Sequence, residues 1–297
     1  MKYVITGGAG NISKPLAEHL LRAGHDVTVI GRNAAHLKPL TGKGAKEAIG
    51  SIEDMDFLKS VFTGADAVYT MIPPKMDAPD WKDFIEQTGK NYAEAIRAAG
   101  VKYVVNLSSI GAHMPQGAGP VSGLYRAEQA LNTLSDVNIL HLRPGYFYTN
   151  FFGNISMVKQ ADIIGSNFGS NGHKLVMTHP ADIAAVAAEA LQKLDFTGHA
   201  VRYIASDERT TADIAKALGA AIGKPDLPWV TFSDEQALGG MQQAGLPEEV
   251  AKNYVEMGAA LHSDAMSEDY RKHAPPTLGQ TKLDHFAQQF KAAYNAA

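Results

Sequence analysis

The 297-residue chain carries 27 Lys and Arg against 31 Asp and Glu, with 45% hydrophobic and 20% charged residues. That balance describes a globular protein with a sizeable core, and no basic run is present that could neutralise a nucleic-acid backbone, so a direct nucleic-acid partner is not expected. The lack of cysteine excludes disulfides, zinc-thiolate sites and a cysteine nucleophile. With no signal-like start and no uninterrupted apolar stretch of about 18 residues, the sequence reads as cytoplasmic, without a membrane partner.

Taken in chain order, the first 110 residues alternate strand and helix patterns, the mark of a parallel sheet wrapped by helices. "KYVIT" (2–6) is a β-branched run. After a Gly-rich turn, Ile12, Leu16 and Leu20 recur every four residues, and the helix ends near Gly24. "DVTVI" (26–30) is a second strand. Leu58, Val61 and Phe62 mark a short helix, and "AVYTMI" (67–72) is a strand closed by Pro73 and Pro74. A long apolar stripe from Trp81 to Ala99 predicts a helix stopped by Gly100, followed by the strand "VKYVVNL" (101–107). A helix over 125–135, a strand "NILHLR" (138–143), a helix opened by Pro180 and a last strand "AVRYIA" (200–205) follow. Residues 151–178 are rich in Gly and Asn and read as a loop or hairpin over the sheet. The tail from about 207 is helical and reads as a lid or substrate lobe. The fold class is therefore α/β, a Rossmann-like doubly wound parallel sheet with a smaller helical C-terminal lobe. Residues 1–150 and 179–206 form the nucleotide-binding unit, and 151–178 and 207–297 the lid.

"VITGGAGNIS" (4–13) is the main chemical signal. Its glycines permit a tight turn and let backbone N–H groups approach a pyrophosphate at the start of a helix. Its position between a predicted strand and a predicted helix is the context that this motif requires. The third position needs a small residue and is Ser13. At the end of the second strand stand Gly31 and Arg32, where an NAD site usually holds an acid for the ribose hydroxyls. A guanidinium can instead take up a 2′-phosphate through two hydrogen bonds, so NADP(H) is the expected cofactor. No HExxH pair, Gly-x-Ser-x-Gly elbow or P-loop is present. His141, inside a strand, reads as a hydrogen-bonded packing residue.

The blocks "TGGAGNIS", "GRN", "GADAVY", "VVNLSSIGA", "RAEQAL", "LRPGYFYTN" and "ADIAAVAAEAL" resemble, in this order, the NmrA-like group of atypical short-chain dehydrogenase/reductases. That group holds quinone and azo-type reductases and also redox-sensing regulators. The resemblance implies that Gly7, Gly10, Asn11, Ile12 and Ser13 meet the pyrophosphate and that Arg32 and Asn33 meet the adenosine phosphate. It places Met71, Ile72 and Pro73 on the ribose and nicotinamide side, with Ser108 beside the cofactor. Ser109 and Tyr125 are the implied catalytic hydroxyls.

Gln129 stands where active carbonyl reductases of this type have lysine. Without that ammonium the phenol pKa, ordinarily near 10, is not lowered, and reduction of simple ketones is disfavoured. A quinone or similar electrophile leaves a delocalised oxyanion that needs less proton donation, so hydrogen bonds can suffice. The aromatic run "GYFYTNFF" (145–152) either walls such an acceptor or anchors the tail. Two functions follow: an NADPH-dependent oxidoreductase acting on a small electrophilic molecule, or an NADP(H)-sensing regulator that signals to a protein partner without turnover.

Overall fold

The computed structural model describes all residues, 1–297. The first half alternates β1 (Lys2–Ile5), α1 (Ser13–Arg22), β2 (Asp26–Gly31), α2 (Ala34–Thr41), β3 (Lys46–Ile49), α3 (Met55–Phe62), β4 (Ala67–Thr70), α4 (Trp81–Ala99), β5 (Tyr103–Leu107), α5 (Pro120–Leu131) and β6 (Asn138–Pro144). Then come β7 (Tyr146–Phe147), a 3₁₀ turn (Tyr148–Asn154), α6 (Ile155–Ala161), β8 (Ile164–Ser166), β9 (Leu175–Thr178), α7 (Pro180–Lys193), β10 (His199–Ile204) and β11 (Asp207–Arg209). The tail comprises α8 (Thr211–Ala221), β12 (Trp229–Thr231), α9 (Asp234–Gln243), α10 (Glu248–His262), a 3₁₀ turn (Ala265–Ser267), α11 (Glu268–Lys272) and α12 (Leu283–Ala296).

Seven strands form one parallel sheet in the order β10-β6-β5-β4-β1-β2-β3. The chain leaves β1 towards β2 and β3, then returns to β4 on the other side of β1. The strand order thus reverses between β1 and β4, the crevice where open α/β sheets bind ligands. The inner strands are buried on both faces: Ile5, Val29, Ala67 and Val105 face one core with α1 and α7, whereas Val4, Val68, Val104 and Ile139 face another with α3 and α4. Helix starts are capped by side chains that sequence reading associates with such positions, as where Asp54 accepts from the N–H of Phe57 at 3.0 Å and Asp80 from that of Asp83 at 2.9 Å.

The segment 151–178 departs from the expected loop or hairpin. Its Ile155, Val158, Ile164 and Phe168 supply a second apolar cluster, so the chain there folds into α6, β8 and β9. That cluster closes on Ile214 and Leu218 of α8 and on Phe286 and Phe290 of α12. β9 pairs with β7 in parallel and with β11 antiparallel, and β8 pairs with β12. The unit β3, which is weakly apolar, and α2, which contains Pro39, escaped the sequence reading.

A polar ladder crosses the middle of the sheet. Thr70 Oγ1 donates to Asn106 Oδ1 at 2.8 Å, the Asn106 amide donates to His141 Nδ1 at 3.1 Å, and His141 Nε2 donates to Asn132 Oδ1 at 3.0 Å. Strand register makes this possible, because Thr70 lies opposite Asn106 and Asn106 opposite His141. His141 is thereby satisfied as a neutral imidazole, and burial, opposed by the Glu128 charge, lowers its pKa to about 4.

Candidate active site

The turn after β1 is built around Gly7, whose φ of +86° suits glycine. A Cβ there would lie 2.7 Å from Ser13 Oγ and 2.8 Å from the Met71 side chain. The Ser13 hydroxyl faces inward and donates to the carbonyl of Thr6 at 2.8 Å. Thr6 Oγ1 in turn accepts from the Met71 N–H at 2.8 Å, fastening the end of β4 to the end of β1. Ser13 thus staples the turn, and its hydroxyl is not offered to a ligand. Ile12 is buried in the core and Asn11 is exposed. The N–H groups of Asn11, Ile12 and Ser13 have no partner within the chain, and the first turn of α1 holds no acid. They supply the free donors and the positive end that a pyrophosphate requires.

A cleft of about 840 Å³ runs from this turn across the ends of β2 and β3. Gly7, Gly10, Arg32, Asn33 and Pro73 line it, whereas the side chains of Asn11, Ile12 and Ser13 do not. Arg32 is exposed and forms no ion pair or hydrogen bond within the chain. Asn33 is partly committed as the cap of α2, its Oδ1 accepting from Ala35 N–H at 2.9 Å. Three contributors lay outside the sequence reading. His36 sits one turn after Arg32, and Lys75 meets Glu53 at 2.7 Å with its ammonium 4.9 Å from the Phe84 ring centroid. Glu53 follows the unrecognised β3, which is why sequence inspection did not bring it to the cleft.

A second cavity, of about 270 Å³, lies beyond the ends of β4, β5 and β6. Pro73 and Pro74 line both spaces, so the two adjoin across a prolyl wall. Met71, Ile72, Ser108 and Ser109 line the second space, not the first. Ser108 is buried and its hydroxyl has no partner, while Ser109 Oγ donates to the Ile110 carbonyl at 3.0 Å. Tyr146 and Tyr254 add two phenols. Burial pushes the Tyr146 pKa far up, reinforced by Tyr254 and opposed by a hydrogen bond from Asn150, and burial raises Tyr254 as well. Both remain neutral hydrogen-bond donors across the physiological range.

Tyr125 is not brought to either cavity. On α5, Pro120 and Leu124 face the second cavity, while Ala127, Glu128 and Leu131 are buried against the rest of the fold. Tyr125, one residue and about 100° further round the helix than Leu124, is half-buried to one side, and Gln129 is exposed. The expected pair therefore does not assemble beside Ser109, and the lysine that Gln129 replaces would point into solvent. The phase of α5 is set by Glu128, which receives Arg143 Nε at 3.0 Å and Nη2 at 2.6 Å inside the protein.

The run 145–152 divides residue by residue. Gly145, Tyr146, Phe147 and Asn150 line the second cavity. Tyr148 stacks on Phe286 at 5.2 Å, and Phe152 packs on Phe286 at 5.2 Å, so those rings anchor α12. His179 caps α7 by accepting from Ala181 N–H at 3.1 Å and lines neither space. The C-terminal region closes the second cavity with Tyr254, Met257 and Leu261, spaced as one face of α10, and with Met266. That i, i+3, i+7 spacing was readable in the tail, but nothing in it tells which pocket the face covers.

A Gly-rich turn feeding a helix at the switch point of a parallel sheet, opening on a cleft with a free guanidinium, defines a dinucleotide-binding protein of the Rossmann class. Residues 7–194 match the NAD(P)H-binding family, and the chain belongs to it. It is 25% identical to the NAD(P)H azoreductase of Xenophilus azovorans over 296 residues, 99% of each chain. In fold it is similar to the NADPH-dependent quinone oxidoreductase of Escherichia coli complexed with NADPH, with a TM-score of 0.81 and 20% identity over 97% of this chain and 99% of that one. The triphenylmethane reductase of Citrobacter sp. gives a TM-score of 0.77 at 20% identity, covering 98% of this chain and all of the other.

Proposed function

We propose that this chain is an NADPH-dependent oxidoreductase that passes a hydride to a flat electrophilic acceptor of the quinone or azo class. One observation carries the reading: the second cavity adjoins the cofactor cleft, and none of its lining residues is Asp, Glu, Lys, Arg or His. Hydride addition to a simple ketone builds a localised alkoxide, which needs a strong proton donor in the transition state. Neutral hydroxyls held at high pKa do not provide one. A quinone accepts the hydride as a delocalised phenolate, which the Ser108 hydroxyl and the phenols of Tyr146 and Tyr254 can hold by hydrogen bonds until water supplies the proton.

The bound nicotinamide would supply the hydride, and the turn from Gly7 to Gly10 with the N–H groups of Asn11, Ile12 and Ser13 would hold its pyrophosphate. Arg32, which forms no ion pair within the chain, favours the phosphorylated cofactor over NADH. In this reading 1–150 and 179–206 bind the cofactor, and 151–178 with 207–297 form the lid, which contributes Tyr254, Met257, Leu261 and Met266 to the acceptor wall. The name of the azoreductase relative and those of the quinone and triphenylmethane reductases of the same fold favour an aromatic acceptor.

The test is NADPH oxidation against quinones, azo dyes and aliphatic ketones. Turnover with the first two and none with the last is expected. Tight NADPH binding with no turnover of any acceptor would leave an NADP(H)-sensing protein that reports to a protein partner.

A further inference from the structure

Charged side chains next to the acceptor cavity are engaged within the chain. Lys82, next to Trp81 of the cavity wall, meets Glu256 at 2.5 Å, and Glu256 precedes Met257 of the same wall. Glu249 accepts from the Trp81 N–H at 3.1 Å and from the Asn253 amide at 2.8 Å. Polar groups in the wall itself are uncharged: Ser108, Ser109, Tyr146 and Asn150 on the sheet side, the Tyr254 phenol on α10, and Trp81, whose buried indole N–H has no partner in the chain. Apart from the Tyr254 phenol, the outer wall from α5 and α10 offers carbon and sulfur from Leu124, Met257 and Leu261.

Resting on the acceptor reading given above, we propose that the cavity selects uncharged aromatic acceptors and rejects their sulfonated analogues. An ionised group moved from water onto such a wall loses its hydration and finds no counter-charge, a cost that exceeds what burial of one ring returns. A carboxylate can evade the cost by taking up a proton. A sulfonate, a much stronger acid, remains ionised at any pH at which the protein is folded. Recruiting Lys82 would not help, because it would leave Glu256 unpaired at the same rim.

The experiment saturates the protein with 1,4,5,6-tetrahydro-NADP, whose nicotinamide ring is uncharged and donates no hydride, and titrates it with phenylazonaphthol and with its ring-sulfonated analogue, following quenching of tryptophan fluorescence. Trp81 lines the cavity and serves as the reporter. The neutral dye is expected to bind on the order of 100-fold more tightly than the sulfonate, or better. Leu124→Arg, and separately Leu261→Lys, should bring a cation to the outer wall and tighten sulfonate binding about tenfold or more, with NADP⁺ affinity unchanged. Equal affinities in the parent protein, or tighter binding of the sulfonate, would overturn the proposal. Should both variants misfold, the comparison of the two dyes on the parent decides alone. Failure of both dyes to bind a protein that binds NADP⁺ normally has a different meaning, since it removes the acceptor cavity itself and the proposal with it.

Discussion

Arg32 in the first cleft and Ser108 in the second cavity both have side-chain hydrogen-bonding groups with no partner in the chain. On the proposed reading, Arg32→Ala should narrow the difference between NADPH and NADH binding by about 1–3 kcal/mol, as measured by calorimetry, because it would remove a charge-assisted contact open only to the phosphorylated cofactor. Equal affinities in the parent would show that the guanidinium does not read the phosphate. Ser108→Ala should slow quinone reduction by roughly 10- to 1000-fold, with the loss mainly in kcat, as expected of a donor to a developing oxyanion. Tyr125→Phe, by contrast, should change turnover by no more than about twofold, since α5 turns that ring away from the cavity and a surface change of one hydroxyl is nearly neutral. A large loss in Tyr125→Phe alone would mean that α5 re-phases when the ligands bind.

At the scale of single elements, the polar ladder of β4, β5 and β6 makes a pH-dependent contribution to stability. His141 is neutral in the folded protein, with its pKa lowered to about 4 by burial, against about 6.5 in an unfolded chain. Below about pH 6.5 the unfolded chain takes up a proton that the folded one refuses, so stability falls until the folded pKa is passed. The loss should amount to about 3 kcal/mol between pH 6.5 and 4, and denaturant titrations of His141→Gln should show most of that slope removed. An unchanged slope would assign it to other groups. The carboxyl of Asp269 acts in a lower window. Burial opposes its ionisation, but the Tyr203 hydroxyl at 2.5 Å and the charges of His273, His113 and Arg143 more than offset this, so its contribution is lost only as pH falls below about 4.

The same elements show what the sequence carries. Strands buried on both faces announce themselves as β-branched runs, and α4 through its apolar stripe, because burial of a regular face imposes a regular pattern. β3 pairs at the sheet edge with Lys46 and Glu47 exposed, so no such pattern is imposed on it. Gly7, Gly10, Arg32 and Asn33 could be expected at one cleft from sequence because local geometry brings them there: a turn, a helix start and the residues after β2. Of the second cavity, the sequence named the sheet side, Met71, Ile72, Ser108, Ser109 and part of the 145–152 run, but not Trp81, Tyr254, Met257 and Leu261, which reach it only through tertiary packing. Tyr125 misled for a related reason. A four-residue spacing fixes two side chains on one face of a helix but does not tell which way that face turns, and here the Glu128–Arg143 pair decides it.

For the molecule as a whole, the prolyl wall shared by the two cavities bears on the order of events that the proposed function predicts. Two adjoining spaces that meet at Pro73 and Pro74 can be filled together, and on the proposed reading a nicotinamide in one and an acceptor in the other would lie side by side. Turnover should therefore pass through a ternary complex, and reciprocal plots of rate against NADPH at several acceptor concentrations should intersect. Parallel lines would demand a reduced form of the protein that outlives the departure of the nicotinamide. The wall also makes the two occupants neighbours in a thermodynamic sense: where the ring of one forms part of the floor of the other, an acceptor bound before the cofactor rests on an incomplete surface and leaves again. Affinity for the dye or quinone should thus be a property of the loaded protein, and an acceptor in large excess should inhibit only by trapping the oxidised cofactor in place.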